Sequence, residues 1–253
     1  MANKKNALAS LLAEQGFGTR KECAKLVWAG AVEYGYGNVE WIKAEKPEAE
    51  IAEQLNLHFR VLLNGEIVTL PYLKELYLAF HKPVDTECSH SPSHYQSVFA
   101  FFPEPFINRG LQAVGRLDAD TTGLLLLSDS GPFNHYFTSP KRHIAKTYRV
   151  GTKHPVSPEQ IKKIELGVEL KDEEEKTRPA KLKLLGENLC DLTIEEGRYH
   201  QVKRMFGAVS NRVESIHRIA IGGYSLPETL KHGSWKILEH DDLLALGFRI
   251  EAN

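Results

Sequence analysis

The chain has little cysteine, no long apolar run and no excess of either charge. Three cysteines among 253 residues, Cys23, Cys88 and Cys190, stand far apart and form no CxxC pair. Neither a disulfide framework nor a structural zinc site is therefore expected, and a reducing, cytoplasmic setting is. The longest purely aliphatic stretch, Leu124–Leu127, is far too short to span a bilayer, and residues 1–30 contain no apolar core of a signal peptide. No membrane partner is expected. The patterns GxGxxG, GxxxxGK followed by Ser or Thr, GxSxG and HExxH are all absent. Dinucleotide-binding, P-loop, hydrolase and zincin chemistry thus lack their physical parts. No internal repeat or low-complexity tract is present, and a hydrophobic content of 42% is too high for a disordered chain.

The formal net charge of −1 hides an uneven distribution. Acidic residues gather at Glu45, Glu48, Glu50 and Glu53, and again from Asp172 to Glu175. The segment from Lys141 to Arg149 carries Lys141, Arg142, Lys146 and Arg149 with no acid, and Lys203, Arg204, Arg212 and Arg218 form a second basic region. Segregation of this kind is compatible with two solvated faces or with a basic groove for a nucleic acid on a neutral protein.

Leu8, Leu11 and Leu12 recur at helical spacing until Gly16-Phe17-Gly18 breaks the pattern. Thr19, with Glu22 three residues on, predicts a capping box opening a second helix that runs to Gly30, with Arg20, Lys21 and Lys25 on its open face. After a Gly- and Glu-rich stretch from Gly35 to Glu53, Val61-Leu-Leu-Asn-Gly65 reads as a strand ending in an Asn-Gly turn. A boundary is expected near Pro71, separating a small α/β domain over residues 1–70 from a larger one over residues 71–253. Strand candidates in the larger domain are Leu76–Phe80, Leu124–Leu127, Tyr148–Val150, Leu182–Leu185, Leu189–Ile194 and Val213–Ile221. Helices are expected after the cap Ser157 with Pro158 and Gln160, along the stripe Val202, Phe206 and Val209, and at Asp241–Leu246. Irregular alternation of the two predicts an α+β fold around a mixed, largely antiparallel sheet.

Two segments could carry chemistry. Gly115-Arg116-Leu117-Asp118-Ala119-Asp120-Thr121-Thr122-Gly123 sets polar residues directly against a buried-strand candidate, where a carboxylate is costly unless paired or used. Asp118 reads either as a turn residue that caps amides, with Arg116 neutralising it, or as a reactive carboxylate, and the residues alone leave both open. The run Glu195–Phe206 combines a glycine turn, hydrogen-bonding side chains and the cations Lys203 and Arg204 at a helix start. A solvated helix end would look the same. Cys88, His90 and His94 share a Ser- and Pro-containing loop but have no fourth ligand, so no metal site is expected, and His217 reads as a packed or RNA-facing side chain.

Taken together, Gly115-Arg116-Leu117-Asp118 with Thr121-Thr122-Gly123, then Lys146-Thr147-Tyr148, then Gly197-Arg198-Tyr199-His200-Gln201-Val202-Lys203-Arg204-Met205-Phe206 closely resembles the RsuA family of pseudouridine synthases. The motifs occur in the family's order, and the resemblance spans about residues 75–240. It implies a pseudouridine synthase domain preceded by an S4-like RNA-binding domain, which the helix pair at residues 7–30 resembles, with Glu45–Glu53 as an insertion. The implied reaction breaks the bond from uracil N1 to ribose C1′, turns the base, and rejoins it through C5, with no metal and no redox cofactor. Asp118 would be the catalytic carboxylate, either adding to C1′ or taking a proton from C2′, and both routes need it ionised. Lys203 matches its basic partner, and Tyr148 matches the aromatic that stacks on the detached uracil.

The same resemblance makes Arg116 a phosphate or loop contact and places Thr121, Thr122 and Gln201 on the substrate side of the motifs. Arg142, Lys146, Arg198, His200 and Arg204 are the candidates for the surface that draws the target uridine from its stack. Asp120-Thr-Thr-Gly123, Thr138-Ser-Pro140 and Ile221-Gly-Gly223 look closer to the 16S branch of the family than to the 23S branches. The expected partner is therefore 16S rRNA or an assembling small subunit. A synthase acting on 23S rRNA is the alternative, and a non-catalytic RNA-binding assembly protein is the alternative from another class. Retention of Asp118, Tyr148 and Lys203 speaks against the last.

Overall fold

A computed structural model describes residues 6–37 and 40–250. Residues 1–5 and 251–253, at the ends of the two expected domains, and Asn38 and Val39, in the Gly- and Glu-rich stretch, lie outside the described residues. Two compact units are present. The first runs to Leu76 and takes in Phe102–Leu111, and the second comprises Tyr77–Phe101 and the chain from Gln112 onward. The division thus falls a few residues beyond Pro71, and a short segment of the expected second domain, Phe102–Leu111, belongs to the first unit.

In the first unit, α1 (Leu8–Glu14) and α2 (Arg20–Trp28) pack over an antiparallel sheet made of β1 (Val32–Tyr36), β2 (Ile42–Lys43), β3 (Leu57–Leu63) and β4 (Glu66–Pro71), in the order β2-β1-β3-β4. Leu8, Leu11, Leu12, Cys23 and Val27 of the helices are buried, as are Val32, Leu57, Phe59 and Val61 of the strands. The capping box of α2 is in place, with the Thr19 N–H donating to Glu22 Oε2 at 2.8 Å. Asn64 and Gly65, both at positive φ, close the β3–β4 hairpin as an Asn-Gly turn should. The acidic stretch read as an insertion has a defined job here. α1 has no side-chain cap, and the carbonyls of Ala49 and Pro47 accept its Leu8 and Ala9 N–H groups instead. The returning segment carries α3 (Glu104–Asn108). Gly16, at φ +83°, lets the Pro105 carbonyl approach to where a Cβ would be 2.0 Å away, and Asn108 Nδ2 donates to Gly16 O.

Nine strands of the second unit, among the described residues, form one mixed sheet. In chain order they are β5 (Tyr77–Lys82), β8 (Gln112–Val114), β9 (Thr122–Ser128), β10 (Lys146–Thr152), β11 (Lys181–Gly186), β12 (Leu189–Ile194), β13 (Val213–Ile221), β14 (Tyr224–Ser225) and β15 (Trp235–Ile237), after two short strands β6 (Thr86–Glu87) and β7 (Gln96–Ser97) that pair separately. The main order is β11-β12-β10-β13-β9-β5-β15, and β8 and β14 pair with β9 and β13. Every pairing in this sheet is antiparallel except β9 with β13. Central β5 and β9 carry continuous apolar runs because both their faces are covered, and Leu124–Leu127 is wholly inaccessible. Over them pack α4 (Gly131–Thr138), through Phe133 and Phe137, and α7 (His240–Ala245), through Leu243. α4 is absent from the elements expected from sequence; Ser130 before Gly131-Pro132 is its start. The other two helices are α5 (Pro158–Leu166), opened by the expected capping box of Ser157 and Gln160, and α6 (Gln201–Ala208).

Candidate active site

The site is built where β9 and β13 run parallel, with His217 beside Thr122 and Arg218 beside Gly123. Gly123 sits at φ +106°, and a Cβ there would lie 2.3 Å from the Arg218 carbonyl oxygen, so only glycine permits this contact. The preceding loop turns on the Thr121 N–H, which donates to Asp118 O at 3.1 Å. Thr122 Oγ1 and His217 Nδ1 share a hydrogen bond of 2.8 Å, which ties the loop's end to β13. Asp118 is left half-buried at the apex.

α6 brings the opposing charge. His200, in a left-handed conformation, starts the helix, and Gln201 accepts the Arg198 N–H while its own Nε2 donates to Glu196 Oε1 at 2.6 Å. Burial of Val202, Met205 and Phe206 then turns Lys203 off the core face. Its ammonium donates to Asp118 Oδ2 at 3.1 Å and to both oxygens of Asp120, at 2.7 and 2.9 Å. Burial works against the charge of Lys203, but the bonds to the two carboxylates outweigh it and hold its pKa above the ordinary lysine value. His200, whose ring stacks on Tyr199, places Nε2 at 3.4 Å from the other Asp118 oxygen.

Tyr148 reaches the same place through an irregularity in the sheet. Between Thr147 and Tyr148 the pairing of β10 with β13 slips by one residue, so Thr147 faces Ala220 while Tyr148 faces Arg218. A bulge of this kind re-aims side chains. Tyr148, Asp118, Lys203, His200, Gln201 and Ile216 line one cleft of about 100 Å³. The Asp118 loop, the Lys146-Thr147-Tyr148 strand and the Gly197–Phe206 turn, separate in sequence, are therefore one site. It offers an acceptor group, a cation bonded to it and an aromatic ring on the wall.

The remaining predicted residues divide. Arg116 is exposed at the rim of that cleft, Thr121 is buried beneath the loop, and Lys146 and Arg142 stand apart from Asp118. The Arg142 guanidinium lies over the Tyr136 ring, 4.4 Å from its centroid. Arg198 and Arg204 do not present free guanidinium groups. Arg198 donates to Glu196, Glu173 and the carbonyls of Glu175 and Lys176, and Arg204 to Glu173 and the carbonyls of Tyr199 and Lys171. Part of the reason is the acidic stretch Asp172–Glu175, in which Glu173 bonds both and the Glu175 carbonyl accepts from Arg198. Cys88 Sγ meets Leu117 O, and His90 stacks on Phe99. Among the described residues no group of three or more His, Cys, Asp or Glu side chains is arranged to hold a metal ion.

One contributor escaped the sequence reading. Lys82, fully buried, donates its ammonium to the carbonyls of Thr121 at 2.9 Å, Pro83 at 3.1 Å and Ala119 at 3.2 Å. Burial pushes its pKa down, and Cys88, Asp120 and Asp118 act in the opposite sense. Its signal was a lysine closing an apolar strand run before Pro83, which reads locally as a strand stop.

Comparison with known proteins gives this constellation a context. Residues 76–208 match the family described as RNA pseudouridylate synthase. The chain belongs to that family. The match takes in Asp118, Tyr148 and Lys203 and stops short of Arg218. A protein of Vibrio cholerae named ribosomal small subunit pseudouridine synthase A is 42% identical over 228 residues, 90% of this chain and 94% of its own. Its namesake in Vibrio parahaemolyticus is 38% identical, over 89% of this chain and 92% of its own. A solved structure described as a pseudouridylate synthase superposes with a TM-score of 0.65 at 35% identity, covering 95% of this chain and 99% of that one. The mixed, largely antiparallel sheet is thus the family's fold, and RNA is the partner that family membership assigns to this synthase fold.

Proposed function

We propose that the protein converts one uridine of 16S rRNA to pseudouridine, with Asp118 as the catalytic carboxylate. The observation that carries this reading is the Asp118–Lys203 hydrogen bond of 3.1 Å, made across 85 residues of sequence in a cleft walled by Tyr148. The charge-assisted bond fixes the carboxylate's direction, so that its remaining lone pairs meet either C1′ or the C2′ proton of a bound nucleotide. Tyr148 offers a ring face on which the freed uracil is held while C5 replaces N1. His200, beside the second Asp118 oxygen, and Ile216 complete the wall. Arg116 at the rim is the cation placed to meet the RNA backbone there. Arg198 and Arg204 act indirectly, by holding residues 171–176 against the turn that starts α6.

The small-subunit target is supported by the names of the relatives and by the breadth of their coverage. The first unit, with Arg20, Lys21, Lys25 and Trp28 exposed on α2, is proposed to be an S4-like RNA-binding module. Pseudouridine mapping of both rRNAs in a strain lacking the gene tests the whole reading. One 16S pseudouridine should vanish, and should return with the wild-type gene but not with Asp118→Asn. An unchanged 16S profile would refute the target, and full restoration by Asp118→Asn would refute the role of the carboxylate.

A further inference from the structure

Tyr148 also walls a second, more enclosed cavity of about 350 Å³, which shares Arg116, Gly197 and Arg198 with the Asp118 cleft. The Thr138-Ser139-Pro140 segment forms part of it, and so does Ile221. Two further cations line it, Lys146 and Arg218. Arg218 is only 2% exposed, and it donates Nε–H to Leu124 O at 2.7 Å and leaves Nη2 buried with no partner. Lys146 donates to its neighbour's carbonyl, Ile144 O, at 2.9 Å. Among the described residues, no carboxylate lies within ion-pair distance of either.

The other charged groups on the wall do not compensate them. Glu196 is taken by Arg198, Gln201 and the Arg178 N–H, Glu195 is exposed, and Arg116 adds a third cation. Burial first, and the charge of Arg218 second, push the Lys146 ammonium down to about 8. Two desolvated like charges side by side, one with an orphaned N–H group, are costly unless something negative joins them. A phosphodiester fits the arrangement, because its two unesterified oxygens carry one shared charge and match a planar guanidinium beside a point-charge ammonium.

We propose that this cavity is a subsite for an RNA phosphodiester flanking the target uridine, its oxyanion held by Lys146 and Arg218. The inference rests on the reading that the protein acts on RNA, and it assigns Lys146 and Arg218 a task distinct from that of Asp118. Because Tyr148 is the common wall, a nucleotide seated at Asp118 carries its own backbone past the cavity.

The test pairs protein variants with chemically altered RNA, using the full chain and a 16S rRNA fragment containing the target. Replacing one flanking phosphodiester by a neutral methylphosphonate should weaken wild-type binding about tenfold, as should Arg218→Met on unmodified RNA. The two losses should not add, because both remove one interaction. Additive losses would overturn the proposal and leave Arg218 as a purely structural residue. Arg218→Lys, which keeps the charge, should retain most of the methylphosphonate sensitivity and covers the case in which the methionine variant fails to fold. Inorganic phosphate supplies an arm without RNA. In wild type it should raise the titration midpoint of the Lys146 side chain, followed by NMR of 13C-labelled lysine, and in Arg218→Met it should not. No shift would refute an anion site even if the protein binds no rRNA at all, a separate failure that would count against the functional reading. A phosphate shift together with additive losses on RNA would assign the cavity to a free phosphate and overturn the phosphodiester.

Discussion

The two sides of the Asp118 loop carry the same kind of residue in opposite settings. In front, Lys203 is partly solvated and bonded to two carboxylates. Behind, Lys82 is fully buried and, among the described residues, bonded to backbone carbonyls of the loop and of Pro83. The front lysine faces the carboxylate proposed to react, whereas the back lysine fixes the shape of the chain that carries it. One cation therefore acts through charge and the other through backbone geometry, and the two should fail differently.

Lys203→Met breaks the front and has the largest expected effect. Product formation should fall about 100- to 1000-fold in kcat with little change in KM, while the denaturation midpoint stays near wild type. Single-turnover kinetics on the 16S fragment read this directly, and a loss confined to KM would move Lys203 from chemistry to binding. Lys82→Met breaks the back. Three carbonyls lose a charged donor, although those of Pro83 and Ala119 keep the Thr86 hydroxyl and the Asp85 N–H, and the fold should lose roughly 2–4 kcal/mol, offset in part by removal of a desolvated charge. Denaturant unfolding measures it. If the variant kept wild-type stability but lost activity, Lys82 would belong with the chemistry and the contrast would collapse.

The front was legible in sequence because its residues are punctuation. Gly123 permits the parallel contact, His200 at positive φ makes the turn before α6, and the apolar stripe of Val202 and Phe206 fixes where Lys203 points. The motif order then supplied the roles. The back was not legible, because the partners of Lys82 are carbonyls, which any residue provides, and they lie 37 and 39 positions away except for that of Pro83. Tyr148 was found by motif, but the bulge that aims it depends on which residue of β13 is skipped, a matter of pairing across 70 residues. The intramolecular partners of Arg198 and Arg204 were not legible for a related reason. Those in Asp172–Glu175 are remote in sequence, so the charge pattern leaves solvated faces and a basic groove both open, and the resemblance assigns the two arginines to the RNA surface rather than to the acidic stretch they bond. α1 shows the converse, a helix read from periodicity whose cap comes from a stretch some forty residues later.

A second probe of the back is pH. His217, bonded to Thr122, is held down to about 4, by burial first and then by His81, His232 and Arg149. Its folded-state pKa lies below the unfolded value of about 6.5, so the unfolded chain binds the extra proton first and stability falls as the pH drops from about 6.5 to about 4. The loss should amount to roughly 1–3 kcal/mol, discounted for incomplete burial. Chemical denaturation across that window should show it in wild type and not in His217→Asn. An equal slope in both would place the titration elsewhere.

The smallest effect is expected at Asp120, and it sharpens the contrast most. Asp120 is mostly exposed yet makes the shorter bond to Lys203, 2.7 Å against 3.1 Å for Asp118, so it competes for the ammonium rather than supporting it. Asp120→Asn removes the competitor. The pKa of Lys203 should fall towards its ordinary value and the ammonium should turn wholly to Asp118, with stability changed by less than about 1 kcal/mol and activity by less than about fivefold. The change should shrink further in high salt, since an exposed carboxylate is screened where the Asp118 contact is not. A loss as deep as that of Lys203→Met would mean that the front of the loop works as a three-residue unit, in which Lys203 positions two reacting carboxylates instead of one.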